Sequence, residues 1–354
     1  MISVIIPLYN RATLIGETIA SLQQQTYHRW EAIVVDDEST DGSYEKVEGI
    51  AQQDERIKLT RRHRDPKGAP TCRNIGAELA TGDYLIFLDS DDLLAPHCLE
   101  GRASAVRAHP DYDFLVFPML MFKQHPYDQN IVWNIDTSES DLTRFLRVDA
   151  VWQTTCPIYK RTWFLKNGRF DEHLMFWQDY ELHTRMLIAG ATYKKFLHQP
   201  PDCFYRQHHQ GTVSQAVDVS EARLTTMEYV YQKLHELLIK SPFNTAVNKA
   251  QVGSVVYWIN MRWIEYHANY TKSKENWLYC YQSGIVTSYQ YIAGYCFFFL
   301  KFWQQRSGNL KLLLRIIAKP FILFLPTVYR NRPVTTAKES VAMEYLLGPF
   351  NAEP

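Results

Sequence analysis

Leu85-Ile86-Phe87-Leu88-Asp89-Ser90-Asp91-Asp92 is the stretch on which the reading of this chain turns. Four apolar residues run straight into three carboxylates within four positions. An apolar run bounded by polar residues has the pattern of a buried strand. The acids therefore emerge at the strand's carboxyl end, where open α/β sheets place their ligands. Carboxylates this close repel one another unless a cation lies among their oxygens. Hard oxygen ligands in this number suit Mg²⁺ or Mn²⁺ shared with substrate phosphates. Taken alone, Asp-Ser-Asp is equally a turn or a helix cap, since both residue types are at home there.

Working outward, the same pattern repeats. Val4–Pro7 reads as a strand followed by Leu8-Tyr9-Asn10, and Ala32–Val35 as a second strand ending in Asp36-Asp37-Glu38-Ser39-Thr40-Asp41-Gly42. Between them Leu14–Gln25 has helical spacing, as does Tyr44–Gln53, before a short third strand at Ile57–Thr60. Arg73–Ala80 reads as a helix leading into the acid strand. Further strands are expected at Phe114–Met121, Val151–Tyr159, Thr192–Phe196 and Phe204–Arg206, and a helix at Glu181–Ile188. Alternating strands and helices specify an α/β fold with a mostly parallel sheet flanked by helices. Polar residues recurring at successive strand ends then build one crevice, not separate loops. Arg73-Asn74-Ile75-Gly76, expected to open a helix beside that crevice, suits a diphosphate, because backbone N–H groups and guanidinium both favour anions. No Gly-x-Gly-x-x-Gly follows the first strand and no Gly-Lys-Ser/Thr is present, which removes the main support for nicotinamide or P-loop chemistry.

Composition narrows the class further. Net charge is +0 over 354 residues, so no global field points to nucleic acid as a partner. Hydrophobic content of 46% and aromatic content of 14% suit a well-buried core. Six cysteines are scattered without a Cys-x-x-Cys pair, the usage of a reducing compartment without structural zinc. Met1-Ile2-Ser3-Val4 lacks a basic n-region, so the start reads as a strand and the expected location is cytoplasmic, with the inner face of the cell membrane as its variant.

These residues together resemble glycosyltransferase family 2, with the GT-A fold. The matching pieces are Val4-Ile5-Ile6-Pro7-Leu8-Tyr9-Asn10, Gln25-Thr26-Tyr27, Trp30-Glu31, Val34-Val35-Asp36-Asp37, Arg73-Asn74-Ile75-Gly76 and Phe87-Leu88-Asp89-Ser90-Asp91-Asp92. They continue through Gly168-Arg169-Phe170-Asp171-Glu172, Trp177-Gln178-Asp179-Tyr180-Glu181-Leu182 and Tyr205-Arg206-Gln207-His208, so the resemblance spans residues 1–214. It implies an inverting, metal-dependent transfer from a nucleotide-sugar, expected to be UDP-linked, to a saccharide or lipid-linked saccharide in cell-surface polysaccharide assembly. Pro7, Tyr9, Asn10, Asp37, Arg73, Asn74 and Asp89 would hold the nucleotide. Asp89, Asp91 and His208 would hold Mn²⁺ or Mg²⁺. Asp179 would be the base that deprotonates the acceptor hydroxyl on the face opposite the leaving group. Many members carry Glu before that Asp, where Gln178 stands here. Read without the resemblance, Asp179 is also a helix cap, His208, beside His209, is also an ordinary loop residue, and Arg185 either orients Asp179 or only packs. Gln25 with Arg29-Trp30 echoes the Gln-x-x-Arg-Trp element of processive synthases, but in the wrong spacing and place, so a non-processive enzyme is expected. Two rivals are a nucleotidyltransferase and a non-catalytic sugar- or partner-binding module of the same fold.

Beyond about residue 215 the pattern turns helical, giving an expected catalytic domain at 1–214 and a helical region at 215–354. Ile292–Trp303 is strongly apolar but too short to span a bilayer, which takes about 20 residues. Leu310–Val328 is apolar except for Lys311, Arg315 and Lys319, a cationic stripe expected opposite a broad apolar face, and Pro320 is expected to break or kink it. Residues 292–328 therefore read either as peripheral membrane contact or as terminal helices packed on the catalytic domain.

Overall fold

The computed structural model describes residues 1–134, 136–207, 220–307, 310–330 and 339–340. Its opening alternates β1 (Ile2–Leu8), α1 (Ile15–Gln23), β2 (Trp30–Asp36), α2 (Ser43–Ala51), β3 (Ile57–Arg61), α3 (Ala69–Leu79) and β4 (Tyr84–Phe87). β1 pairs in parallel with both β2 and β4, and β2 with β3. Every residue of β1 and β2 is buried, as continuous apolar strands must be when helices cover both sheet faces. α3 lies so close to β1 that a side chain at Gly76 would collide with Ile5, which is why glycine stands there.

The chain continues through β5 (Leu93–Leu94), α4 (Cys98–Ala108), β6 (Phe114–Val116), β7 (Met119–Phe122), β8 (Ile131–Val132), α5 (Asp141–Leu146), β9 (Pro157–Lys160), α6 (Arg161–Asn167), α7 (Gln178–Ile188), β10 (Tyr193–Lys195) and β11 (Cys203–Arg206). The main sheet has the order β10-β6-β9-β4-β1-β2-β3, with β9 antiparallel to β4 and β6. A smaller sheet has the order β12-β8-β7-β11-β5, where β12 is Glu339–Ser340. The single strand expected over Phe114–Met121 is instead β6 and β7, one in each sheet. Pro118, which has no N–H to give a ladder, sits at the break. The expected strand over Val151–Tyr159 begins only at Pro157, leaving residues 151–156 as a buried loop.

One buried ion pair fixes that loop. The Arg102 guanidinium on α4 donates to both oxygens of Asp202, each at 2.7 Å, and to the Thr155 carbonyl at 2.9 Å. Arg102→Ala strands Asp202 as an unpaired buried charge, and a loss of about 3–5 kcal/mol is expected. Urea unfolding of both proteins measures it; a variant within error of wild type would show that the pair carries no stability.

Among the described residues six helices follow: α8 (Glu221–Ile239), α9 (Ala246–His267), α10 (Tyr270–Gln282), α11 (Ser288–Arg306), α12 (Lys311–Leu323) and α13 (Thr327–Arg330). Four of them start at side-chain caps, Ser220, Thr245, Asn269 and Thr287, the last forming a capping box with Gln290. One apolar core runs from β1 through to Tyr329, so the helical region is continuous in packing with the α/β region. Lys233 on α8 bonds Asp171 at 2.6 Å and Glu181 at 2.8 Å, and Thr143 on α5 bonds Asn248 on α9 at 2.9 Å. Pro320 does not end α12, which runs on to Leu323.

Candidate active site

Because β4, β1 and β2 are parallel neighbours, their carboxyl ends share one edge of the sheet. Loops after β1 and β2 are stitched together there. Asp37 donates its N–H to the Leu8 carbonyl at 2.8 Å, Asn10 donates its N–H to Ser39 Oγ at 3.1 Å, and Thr40 donates to Asn10 Oδ1 at 2.9 Å. Asn10 has φ 49°, a left-handed conformation that Asn tolerates better than most residues. Pro7 is buried within β1, and Tyr9 beyond it is 46% exposed with Lys67 Nζ 4.2 Å from its ring centre.

Asp37 is buried against Arg62, whose Nε donates to it at 2.6 Å. Arg62 also reaches Glu38 at 3.1 Å and Asp65 at 3.0 Å. Sequence reading missed Arg62, yet the signal was present. It directly follows β3, the fourth parallel strand, so the rule that singled out three strand ends applies to it as well.

The acid cluster occupies the end of β4. Asp89 accepts from Arg73 and, at 3.5 Å, from Gln153 Nε2; Asp91 accepts from Arg11 Nε at 3.2 Å. Their side chains remain 26% and 16% exposed. Asp92 is buried: one oxygen accepts the Arg206 N–H at 2.9 Å and the other has no partner among the described residues. Burial, reinforced by Asp91 and Asp89, pushes the Asp92 carboxyl well above the usual carboxylate range. Arg206 also donates to the Asp91 carbonyl at 2.8 Å, tying β11 of the small sheet to the cluster.

α3 begins at Ala69, with proline in its first turn, so Arg73 lies one turn inside the helix and does not open it. Its nearly buried guanidinium bridges Asp89 and Gln178 Oε1, the latter at 2.7 Å. Asn74 acts as a structural clamp. Its amide donates to the Phe170 carbonyl and to Glu172, each at 2.9 Å, and its Oδ1 accepts the Phe170 N–H at 3.0 Å.

Asp179 is the second residue of α7, whose preceding residue Trp177 has φ 59° and makes no side-chain cap. The Asp179 carboxylate accepts the Tyr180 N–H at 2.8 Å, next to the Gln178–Arg73–Asp89 chain of contacts. Burial raises its carboxyl above the ordinary 3.8, Asp89 adds to the rise, and Arg73 opposes it. Arg185 bonds Glu181 at 2.7 Å and the carbonyls of Asn167 and Arg169, so it packs α7 onto the preceding loop and does not hold Asp179. His208 and His209 lie outside the described residues. Among the described residues no three His, Cys, Asp or Glu side chains converge as a ready-made metal cage.

Residues 3–166 match the family model described as Glycosyl transferase family 2. That stretch, a little under half of the chain, is where the likeness to glycosyl transferase family 2 lies. An uncharacterized glycosyltransferase of Haemophilus influenzae is 29% identical over 188 residues, covering 53% of this chain and 62% of that protein. UDP-Glc:alpha-D-GlcNAc-diphosphoundecaprenol beta-1,3-glucosyltransferase WfgD of Escherichia coli is 39% identical over 104 residues, 29% of this chain and 40% of that one. The chain thus spans less than two thirds of the length of these curated relatives. In fold it resembles Staphylococcus aureus TarS 1–349 in complex with UDP-GlcNAc, with a TM-score of 0.58 and 19% identity over 93% of this chain and 90% of that one. The glycosyltransferase fold is therefore the mixed α/β arrangement of GT-A enzymes, carrying a helical C-terminal region.

Proposed function

We propose that the chain is an inverting, metal-dependent, non-processive glycosyltransferase. In this reading it moves a sugar from a UDP-linked donor to a saccharide or lipid-linked saccharide in cell-surface polysaccharide assembly. One observation carries it: Asp179, a carboxyl raised by burial above the ordinary aspartate value, adjoins Gln178, which joins through Arg73 to Asp89 at the end of β4. This supports a reading in which a proton acceptor and an acid cluster that holds a cation for the diphosphate share one crevice. The likeness to WfgD, a UDP-Glc:alpha-D-GlcNAc-diphosphoundecaprenol glucosyltransferase, and to TarS in complex with UDP-GlcNAc supports the choice of donor and acceptor classes.

Asp37, braced by Arg62, has the acceptor oxygen that a base N–H needs, and Pro7, Tyr9 and Asn10 form the neighbouring wall. Asp179 takes the proton of the acceptor hydroxyl as that oxygen bonds to the anomeric carbon. The bond from that carbon to the donor phosphate oxygen breaks on the opposite face, so the configuration inverts and a nucleoside diphosphate leaves. Gln178 is neutral, so it holds Arg73 in place without cancelling the guanidinium charge.

The residues also fit a divalent cation. Asp89 and Asp91 present partly exposed hard oxygens, and Mg²⁺ or Mn²⁺ needs only one or two carboxylates where substrate phosphates complete its shell. Asp89 and Asp91 would hold the ion, with His208 a further donor. When bound, it supplies Lewis-acid neutralisation of the departing diphosphate.

A donor screen tests the class. Nucleoside diphosphate release is measured from a panel of nucleotide-sugars with Mn²⁺ or Mg²⁺, with and without EDTA, and nucleotide-sugar binding is measured by calorimetry. Release or binding confined to one donor, and abolished by EDTA, is expected. Failure to bind any nucleotide-sugar would move the fold to the non-catalytic reading, and pyrophosphate release from a nucleoside triphosphate to the nucleotidyltransferase.

A further inference from the structure

The chain is neutral as a whole, but its charge is not evenly spread. Between Glu275 and Glu339 there is no carboxylate, while Lys301, Arg306, Lys311, Arg315, Lys319, Arg330, Arg332 and Lys338 all fall there. Residues 276–338 therefore carry eight positive charges that the rest of the chain offsets. The same segment holds an unusual share of exposed apolar side chains. Among the described residues, 22 large hydrophobics are exposed, and 12 of them lie between Tyr289 and Phe324. Scattered exposed apolar residues are ordinary, but a contiguous set marks an interaction surface.

α11 and α12 present that set together. On α11, Ile292, Tyr295, Phe299 and Trp303 recur at helical spacing on its exposed face. α12 packs on α11 and buries only Ala318, leaving Leu312, Leu313, Ile316 and Ile317 in the open. At about 100° per residue, the exposed apolar residues of α12 span one continuous arc, and Lys311, Arg315 and Lys319 border it along one side. By the same rotation Lys311 lies about 20° from Ala318 and Lys319 about 20° from Leu312, so the cationic stripe runs from the packed side of α12 up to the edge of its apolar face. An exposed apolar face edged by cations is the arrangement of a helix lying in a membrane interface. Tyr295 and Trp303 are the aromatic types favoured at that depth. The surface also continues past Ile292 and Tyr295 into a groove of about 430 Å³ between α10 and α11, lined besides by Lys274, Glu275, Leu278 and Tyr291.

We infer that the α11–α12 face docks this protein onto the surface of a bilayer containing anionic phospholipid. The absence of carboxylates from this stretch, with Lys301, Arg306, Lys311, Arg315 and Lys319 on α11 and α12, gives the charge complementarity. A second copy would set the same positive segment against itself, which like charges oppose. No helix among the described residues is long and apolar enough to cross a membrane, so the face lies on the bilayer and does not thread it. This inference is independent of which sugar, if any, the crevice transfers.

Co-sedimentation with sucrose-loaded vesicles tests it, using phosphatidylcholine alone and an equal mixture with phosphatidylglycerol. The wild-type chain is expected to pellet with the mixed vesicles, to be released by raised salt, and to stay largely in solution with phosphatidylcholine. Lys311→Glu/Arg315→Glu/Lys319→Glu should lower the partition constant about 100-fold or more, since each basic residue near an anionic surface is worth roughly a factor of five to ten. Leu313→Ser/Ile317→Ser should weaken binding to the mixed vesicles while preserving its salt dependence. Circular dichroism and Tm guard against unfolding; a variant that unfolds is set aside, and the salt release of the wild type then decides. Wild-type protein that ignores phosphatidylglycerol vesicles overturns the inference. So does a charge-reversed variant that pellets normally, or a wild-type dimer that Leu313→Ser/Ile317→Ser disperses.

Discussion

Asp179→Asn is expected to lower kcat by about 10²–10⁴-fold while leaving donor affinity within error of wild type, the range that general-base removal commonly produces. The substitution is nearly isosteric. An Asn side-chain oxygen still accepts the Tyr180 N–H, so the first turn of α7 and its contacts with Arg73 through Gln178 are retained. What disappears is the ability to take a proton. A residue that only capped or shaped the helix would show unchanged turnover after this replacement. The wild-type pH profile provides the second check. Burial raises the Asp179 carboxyl above 3.8, and the base works only when ionised. Activity should therefore fall as pH drops through this raised pKa, with the acid limb of kcat/KM lying above the ordinary aspartate range. Asp179→Asn should lose that limb. Wild-type kinetics in the variant would place the base elsewhere.

How much of this site was legible beforehand depends on which physical signal each residue left. β1, β2 and β4 were readable because strands covered on both faces must be continuously apolar, and the acids at their ends then fell on one edge. α3 starts at Ala69, four residues before the Arg73 opening that the motif suggests. Gly68-Ala69-Pro70 carried the better signal, proline being suited to a first helical turn. The clamp made by Asn74 was not legible, because its partners, Phe170 and Glu172, are distant in sequence and only folding brings them near. Gln153 left no signal, since the loop that presents it to Asp89 was read as strand. The small sheet was partly hidden because β5, β8 and β12 are two residues each, too short for any periodicity. In the helical region, periodicity revealed the helices, while which face stayed open was decided by α11 packing against α12.

The acid cluster divides into residues with different work, and Asp91→Ala should expose that division. Asp91 is partly exposed and its carboxylate contacts Arg11, whereas Asp92 is buried with one oxygen fixed by the Arg206 N–H. In the proposed mechanism, removing Asp91 takes away one of the two carboxylates that would hold the divalent ion at the mouth of the crevice. Lewis-acid stabilisation is worth several kcal/mol, so turnover should fall about 10³-fold at a metal concentration that saturates wild type. Calorimetry should show weakened Mn²⁺ binding in the presence of UDP, because substrate phosphates supply part of the coordination shell. Raising the metal concentration should recover part of the lost rate. Asp92→Asn is the matched control. It keeps the acceptor for the Arg206 N–H and the shape of the β4 end, so metal affinity should be nearly unchanged. Equal metal loss in both variants would mean that the cluster acts as a single anionic patch; normal metal dependence in Asp91→Ala would remove Asp91 from the metal site and leave Asp89 as its principal carboxylate.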